Sequence, residues 1–239
     1  MDYSNFDMKS HFPVNAQSDT ASRTFIANVF SWMFLALAIT AATSWYFASS
    51  GMYKYLFSET GLNLLGWIVM LAPLGFVIAL SAGIEKFSAA TMTMLFVLYS
   101  IVMGASLSFI LLLYTHSSIV LTFVSTSAMF GIMAVAGYTT KTDLTKMGSL
   151  LVMGVIGIVI ASVINMFMQS EGMYYLISII GVIIFTGLTA WDVQKLKKIG
   201  EQAIEGEMTR KLTIHGALRL YLDFINLFLF MLRFMGGRK

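Results

Sequence analysis

The chain contains no cysteine. That excludes disulfides, a thiolate nucleophile and every cysteine-based metal centre. Proline occurs only at Pro13 and Pro73, and charged residues make up 11% of the 239 positions. About a quarter is usual for a soluble domain, so these charges are too few to cover a water-facing surface. What is present instead is apolar: 58% of residues are hydrophobic and the mean hydropathy is +0.80. This is the composition of a polytopic membrane protein, with length for about seven spans of roughly 20 residues and no room for a separate soluble domain. The first 20 residues are polar, with Asp2, Asp7, Lys9 and Asp19, and lack the apolar core of a cleavable signal, so the first span is expected to stay. The formal net charge of +3 calls for no nucleic-acid partner, because the basic residues sit in loops beside the spans.

The spans are expected at residues 25–48, 64–82, 91–113, 119–138, 148–168, 174–191 and 214–234. Residues 1–24 then form a segment ahead of the bundle, residues 25–235 the transmembrane domain and residues 236–239 a tail. The weakest separation is the turn at 114–118, and the strongest is the stretch 193–213, which reads as aqueous. One side receives Lys9, Arg23, Lys86, Lys141, Lys146, Lys195, Lys197, Lys198, Arg210 and Lys211; the other has Lys54, Arg238 and Lys239. The bias puts the N-terminus in the cytoplasm. A spanning last segment would leave the C-terminus outside, and a re-entrant one would return it to the cytoplasm.

Small and hydroxylated residues occur along the inner spans, among them Gly104, Ser106, Ser108, Gly131, Gly154 and Gly157. Close helix packing is the simplest reading of them, because no hydrophobic effect drives helices together in lipid. The 18 methionines are scattered, as adaptable filler is, and do not form a thioether site.

Against this background two aspartates stand out, because an acid at mid-bilayer costs roughly 2.5–3.5 kcal/mol on insertion scales and marks a functional position. On the seventh segment Arg219, Asp223, Asn226, Phe230 and Arg233 recur at spacings of 4, 3, 4 and 3, which gathers them into one stripe on a helix. Such a stripe must face protein or water, so the C-terminal helix should sit centrally. Asp223 and Arg219 lie one turn apart and can pair, in which case they only hold the bundle together. On the sixth segment Ser178, Gly181, Phe185, Thr189 and Asp192 share a face. Taken alone, Asp192 is equally well read as an acid at a helix end reaching into the basic loop. Taken with Asp223 it makes a carboxylate pair, the chemistry of a proton sensor or of a divalent-cation site, for which Ca²⁺ accepts irregular oxygen cages. Thr189 and Asn226 are the pore-lining candidates. His11, His116 and His215 show no ligand spacing, and His215 reads as a solvated helix-end residue.

The runs GLTAWDVQKLKKI (187–199) and ALRLYLDFINLFLFMLRF (217–234) resemble the paired C-terminal signatures of the Bax inhibitor-1 family in a bacterial member. VFSWMFLALAITA (29–41) and GYTTKTDLTKMGS (137–149) are similar to the family as well, so the resemblance covers essentially the whole chain. It implies an all-α integral membrane fold of seven transmembrane helices with the last one central. It also implies a pH-sensitive Ca²⁺ leak of the cytoplasmic membrane, gated by an aspartate pair that falls on Asp192 and Asp223, with Ca²⁺ as the ion carried and no cofactor. The family's basic latch falls on Lys86. A second family pairing joins an acid of the second span to a basic residue that falls on Arg233, but residues 64–82 contain no acid.

Other functions fit less well. An intramembrane aspartyl protease also sets one acid on each of two consecutive spans. That chemistry comes with a Gly-x-Gly-Asp turn, whereas Leu220, Tyr221 and Leu222 precede Asp223 here. A retinal pump needs a lysine in the last span, and none lies between Lys211 and Lys239. A proton-coupled transporter would show an inverted repeat, which is not evident. A regulator of a membrane protease or of a stress response, without transport of its own, remains the alternative to a channel.

Overall fold

The computed structural model describes residues 14–58 and 61–237; for 14–19 only the helical backbone is described. Residues 1–13 of the expected N-terminal segment and Arg238 and Lys239 of the tail lie outside the described residues. The protein is an all-α integral membrane protein of seven long helices: α1 (Val14–Ser49), α2 (Leu64–Ala82), α3 (Ala89–Leu113), α4 (His116–Thr139), α5 (Thr145–Met168), α6 (Glu171–Glu201) and α7 (Glu207–Met235). A short 3-10 turn (Met52–Leu56) and a two-residue antiparallel pair, β1 (Phe57–Ser58) with β2 (Gly61–Leu62), connect α1 to α2.

Side-chain caps begin the inner helices where polar residues interrupt the apolar runs. Asn63 accepts from Gly66 N, Ser88 from Thr91 N, Thr115 from Ser118 N and Ser170 from Met173 N, each satisfying an amide that the helix itself leaves unpaired. The short break between α3 and α4 is two extended residues, Tyr114 and Thr115.

Three features of the structure bear on the sequence expectations. Residues 14–24, part of the segment placed ahead of the first span, are helical and form the first three turns of α1. The stretch 193–213 is not an aqueous loop: α6 continues to Glu201, α7 begins at Glu207, and only 202–206 turn between them. Gln194 secures the extension, since its amide donates to Thr142 O at 2.8 Å and its oxygen accepts from Leu144 N at 2.9 Å. Lys197 adds a bond from Nζ to Tyr138 O at 3.1 Å. Finally, the small residues divide into two kinds. A Cβ on Gly104 would stand 2.6 Å from Thr40 O, so α1 and α3 approach through it, whereas Gly131 and Gly157 face open space.

Helix α7 packs against α1, α2, α3, α4 and α6 and is the axis of the bundle. Among the described residues six helices are long and apolar enough to cross a membrane, and α7 is the exception; its polar stripe is tolerated because neighbours enclose it. It is not re-entrant. Glu207 at its start accepts from Ala89 N at the beginning of α3, and Gly237 just beyond its end donates to Ser118 Oγ at 3.0 Å beside the α3–α4 break. Its 29 residues, about 43 Å of helix, therefore run alongside α3 from one end of the bundle to the other. Exposed apolar residues such as Leu64, Ile132 and Phe167 form the lipid-facing surface of α2, α4 and α5.

Candidate ion site between the sixth and seventh helices

The extension of α6 is what sets Asp192 inside the protein. The helix runs on for about two and a half turns beyond it to Glu201, so the carboxylate is not at a helix end, and it is only 5% exposed. The reading of Asp192 as a snorkelling acid is thereby overturned. Asp223 is equally buried, at 5%. Helices α6 and α7 lie against one another, and the structure brings the two acids together on the wall of a single cavity.

Arg219 joins the site from α7, but not by pairing along its own helix. Its Nη1 donates to Asp192 Oδ1 at 2.8 Å, between helices, and its guanidinium lies 5.9 Å from the centre of the Trp191 ring. Lys195 Nζ lies over the same ring at 5.4 Å. Trp191 is held from behind by α5, where Gly148 leaves room for the indole that any Cβ would invade. Among the described residues Asp223 has no comparable partner, and its Oδ2 is buried without any hydrogen bond. An oxygen of that kind is costly unless a proton or a cation reaches it.

These groups line a cavity of about 370 Å³ bounded by α2, α5, α6 and α7. Besides Asp192, Asp223 and Arg219, its polar wall comprises Ser81, His215 and Asn226. His215 is thus half-buried in the site and not a solvated helix-end residue. Asn226 donates from Nδ2 to Leu222 O at 2.8 Å, which leaves its side-chain oxygen able to accept or to ligate. Thr189, expected to line a pore, does not: it is fully buried and its hydroxyl donates back to Phe185 O at 2.8 Å. Lys86 is also displaced from its expected role. It lies exposed in the turn after α2 and forms no ion pair among the described residues, while Arg219 holds the aspartate. Arg233 sits toward the other end of α7, with its guanidinium over the rings of Tyr174 and Phe230.

No group of three or more His, Asp or Glu side chains placed to hold a metal occurs among the described residues. The donor set is two carboxylates, an amide oxygen and a hydroxyl around the cavity, and one carboxylate is already engaged by Arg219. Sequence reasoning missed Trp191 and Ser81 as members of the site. The first is signalled only by its place one residue before Asp192, and the second by nothing local.

Comparison with known proteins gives a consistent result. The family model described as "Inhibitor of apoptosis-promoting Bax1" matches residues 22–239. The chain is 48% identical over 219 residues to the inner membrane protein YbhL of Escherichia coli (strain K12), covering 91% of this chain and 93% of that one. It is 45% identical over 216 residues to an uncharacterized protein of Borreliella burgdorferi, covering 90% and 92% of the two chains. With the uncharacterized protein RP147 of Rickettsia prowazekii the identity is 40% over 225 residues, 94% of each chain. A match of this extent, on a bundle whose polar last helix is its axis, makes the chain a member of the Bax inhibitor-1 family.

Proposed function

We propose that this protein is a pH-sensitive calcium leak of the bacterial cytoplasmic membrane, with Asp192 and Asp223 as the ion-binding carboxylates and Arg219 as the latch that holds the site shut. The observation that carries the reading is the buried, partnerless Oδ2 of Asp223 beside an Asp192 already neutralised by Arg219. With Arg219 in place the site has one uncompensated carboxylate. Ca²⁺ gains both only by displacing the guanidinium, and protons compete with it for the same oxygens. The inner-membrane description of the Escherichia coli relative supports the location. The basic residues gathered at the end of the bundle that carries the 202–206 turn support a cytoplasmic N-terminus. The reading is non-enzymatic, with protons, Ca²⁺ and the bilayer as its partners.

The test is Ca²⁺ uptake into proteoliposomes containing only this protein, measured from pH 5 to pH 8. The parent should take up less at pH 5 than at pH 8. Asp223→Asn keeps volume and hydrogen bonding but removes the charge, and should abolish specific uptake while the protein stays folded. Asp192→Asn should flatten the pH profile. A folded Asp223→Asn with parental uptake and pH dependence would sink the proposal.

A further inference from the structure

At the opposite end of the bundle from the 202–206 turn, a second and larger cavity of about 690 Å³ opens where the end of α5, the start of α6 and the end of α7 meet. Arg233 lines it. Its contacts are aromatic faces, 5.7 Å to the centre of the Tyr174 ring and 5.6 Å to that of Phe230, and no carboxylate pairs with it among the described residues. Asn165, in the same wall, uses Oδ1 to accept from Ser170 N at 3.1 Å, which leaves its amide N–H groups able to donate. The one acid lining this cavity is Glu171, the first residue of α6, also outside any ion pair among the described residues. A cation with amide donors and a separate anion thus share one opening.

The rim gives the second half of the argument. Met166 and Tyr175 around the opening are 66% and 53% exposed, at the ends of helices whose middles face lipid. This is the level of the acyl-to-headgroup boundary, where tyrosine is enriched. A small water-soluble dianion would be repelled by Glu171 and gain nothing from the apolar rim. A ligand that uses every feature carries a phosphodiester, a primary ammonium and acyl chains. We propose that this cavity binds the headgroup of a zwitterionic aminophospholipid of the phosphatidylethanolamine class, with the phosphodiester on Arg233 and Asn165, the ammonium on Glu171 and the chains along Met166 and Tyr175. The site is independent of the acid pair and of the function assigned to it.

Native mass spectrometry of the full-length protein, delipidated and titrated in turn with phosphatidylethanolamine and phosphatidylglycerol, tests this. The parent should retain the aminophospholipid over the anionic lipid. Arg233→Gln should weaken retention of both by about tenfold, the loss of one charge-assisted contact, while Arg233→Lys keeps most of it. Glu171→Gln should erase the preference between the two lipids without abolishing binding. Inorganic phosphate at millimolar concentration should displace neither lipid; displacement would make this a free-phosphate site and overturn the proposal. Equal retention of both lipids by the parent, or unaltered binding by a folded Arg233→Gln, would show that Arg233 is only an interfacial anchor and would equally overturn it.

Discussion

Arg219 of α7 reaches across to Asp192 of α6 at 2.8 Å, while Asp223, one turn along the same helix as Arg219, keeps a buried oxygen with no donor. The pairing holds two helices together and leaves the second acid uncompensated. Breaking a buried pair by removing one partner costs roughly 3–5 kcal/mol, and the partial exposure of Arg219 brings the expectation for Arg219→Gln down to about 2 kcal/mol. The double variant Arg219→Gln/Asp192→Asn should recover most of that loss, because no charge is then stranded. Thermal unfolding in detergent measures both. The single variant should also raise resting Ca²⁺ leak, and an unchanged leak would remove Arg219 as the latch.

A glycine pair separates packing from lipid exposure. A Cβ at Gly181 would stand 2.6 Å from the ring of Phe230, which is itself stacked on Phe185 with centroids 5.7 Å apart. Gly181→Ala should therefore destabilise the bundle by about 1–3 kcal/mol through overpacking. Gly157→Ala meets nothing within 4 Å and should be neutral or stabilising by up to about 1 kcal/mol through helix propensity. Equal melting temperatures for the two variants would contradict the helix contacts described here.

Outside the membrane, Asp143 in the turn between α4 and α5 is held well below the ordinary carboxylate range, at about 2 against 3.8, first by the Thr145 hydroxyl and then by Lys198, whose Nζ is 3.0 Å from Oδ1. A depressed folded-state value means that the stabilisation is complete above 3.8 and disappears as pH falls toward 2. The difference in melting temperature between the parent and Asp143→Asn should thus be present at pH 5 and gone near pH 2. A difference that persisted at the lower pH would assign the effect to something other than the charge.

Orientation can be read without background labelling, because the chain has no native cysteine. Gln202 is exposed in the α6–α7 turn, and a cysteine there should react with a membrane-impermeant maleimide only after the cytoplasmic face is opened. Labelling in intact spheroplasts would invert the topology.

The seventh helix was legible as the axis because Arg219, Asp223, Asn226, Phe230 and Arg233 fall on one stripe, and a stripe of that kind has nowhere to go but inward. The partner of Arg219 was not legible. Spacing along one helix makes Asp223 as good a candidate as Asp192, and only the crossing of α6 and α7 decides between them. The extent of α6 was hidden for a different reason: hydropathy falls at Lys195, Lys197 and Lys198, yet Gln194 and Lys197 satisfy the carbonyls at the end of α4 and in the following turn and so continue the helix. Lys86 was misplaced because its position in sequence matches a latch while its side chain points to solvent. Thr189 shared a face with Asp192, but its hydroxyl is consumed by its own backbone.

The position of α7 also constrains how the molecule is made. The helix too polar to qualify as an independent span follows the other six in the chain and ends at the centre of them. During synthesis the earlier helices must wait as a loose ring with an unfilled slot, and Arg219, Asp223 and Arg233 enter lipid only with that ring to receive them. Insertion of the last helix and closure of the fold are then a single event.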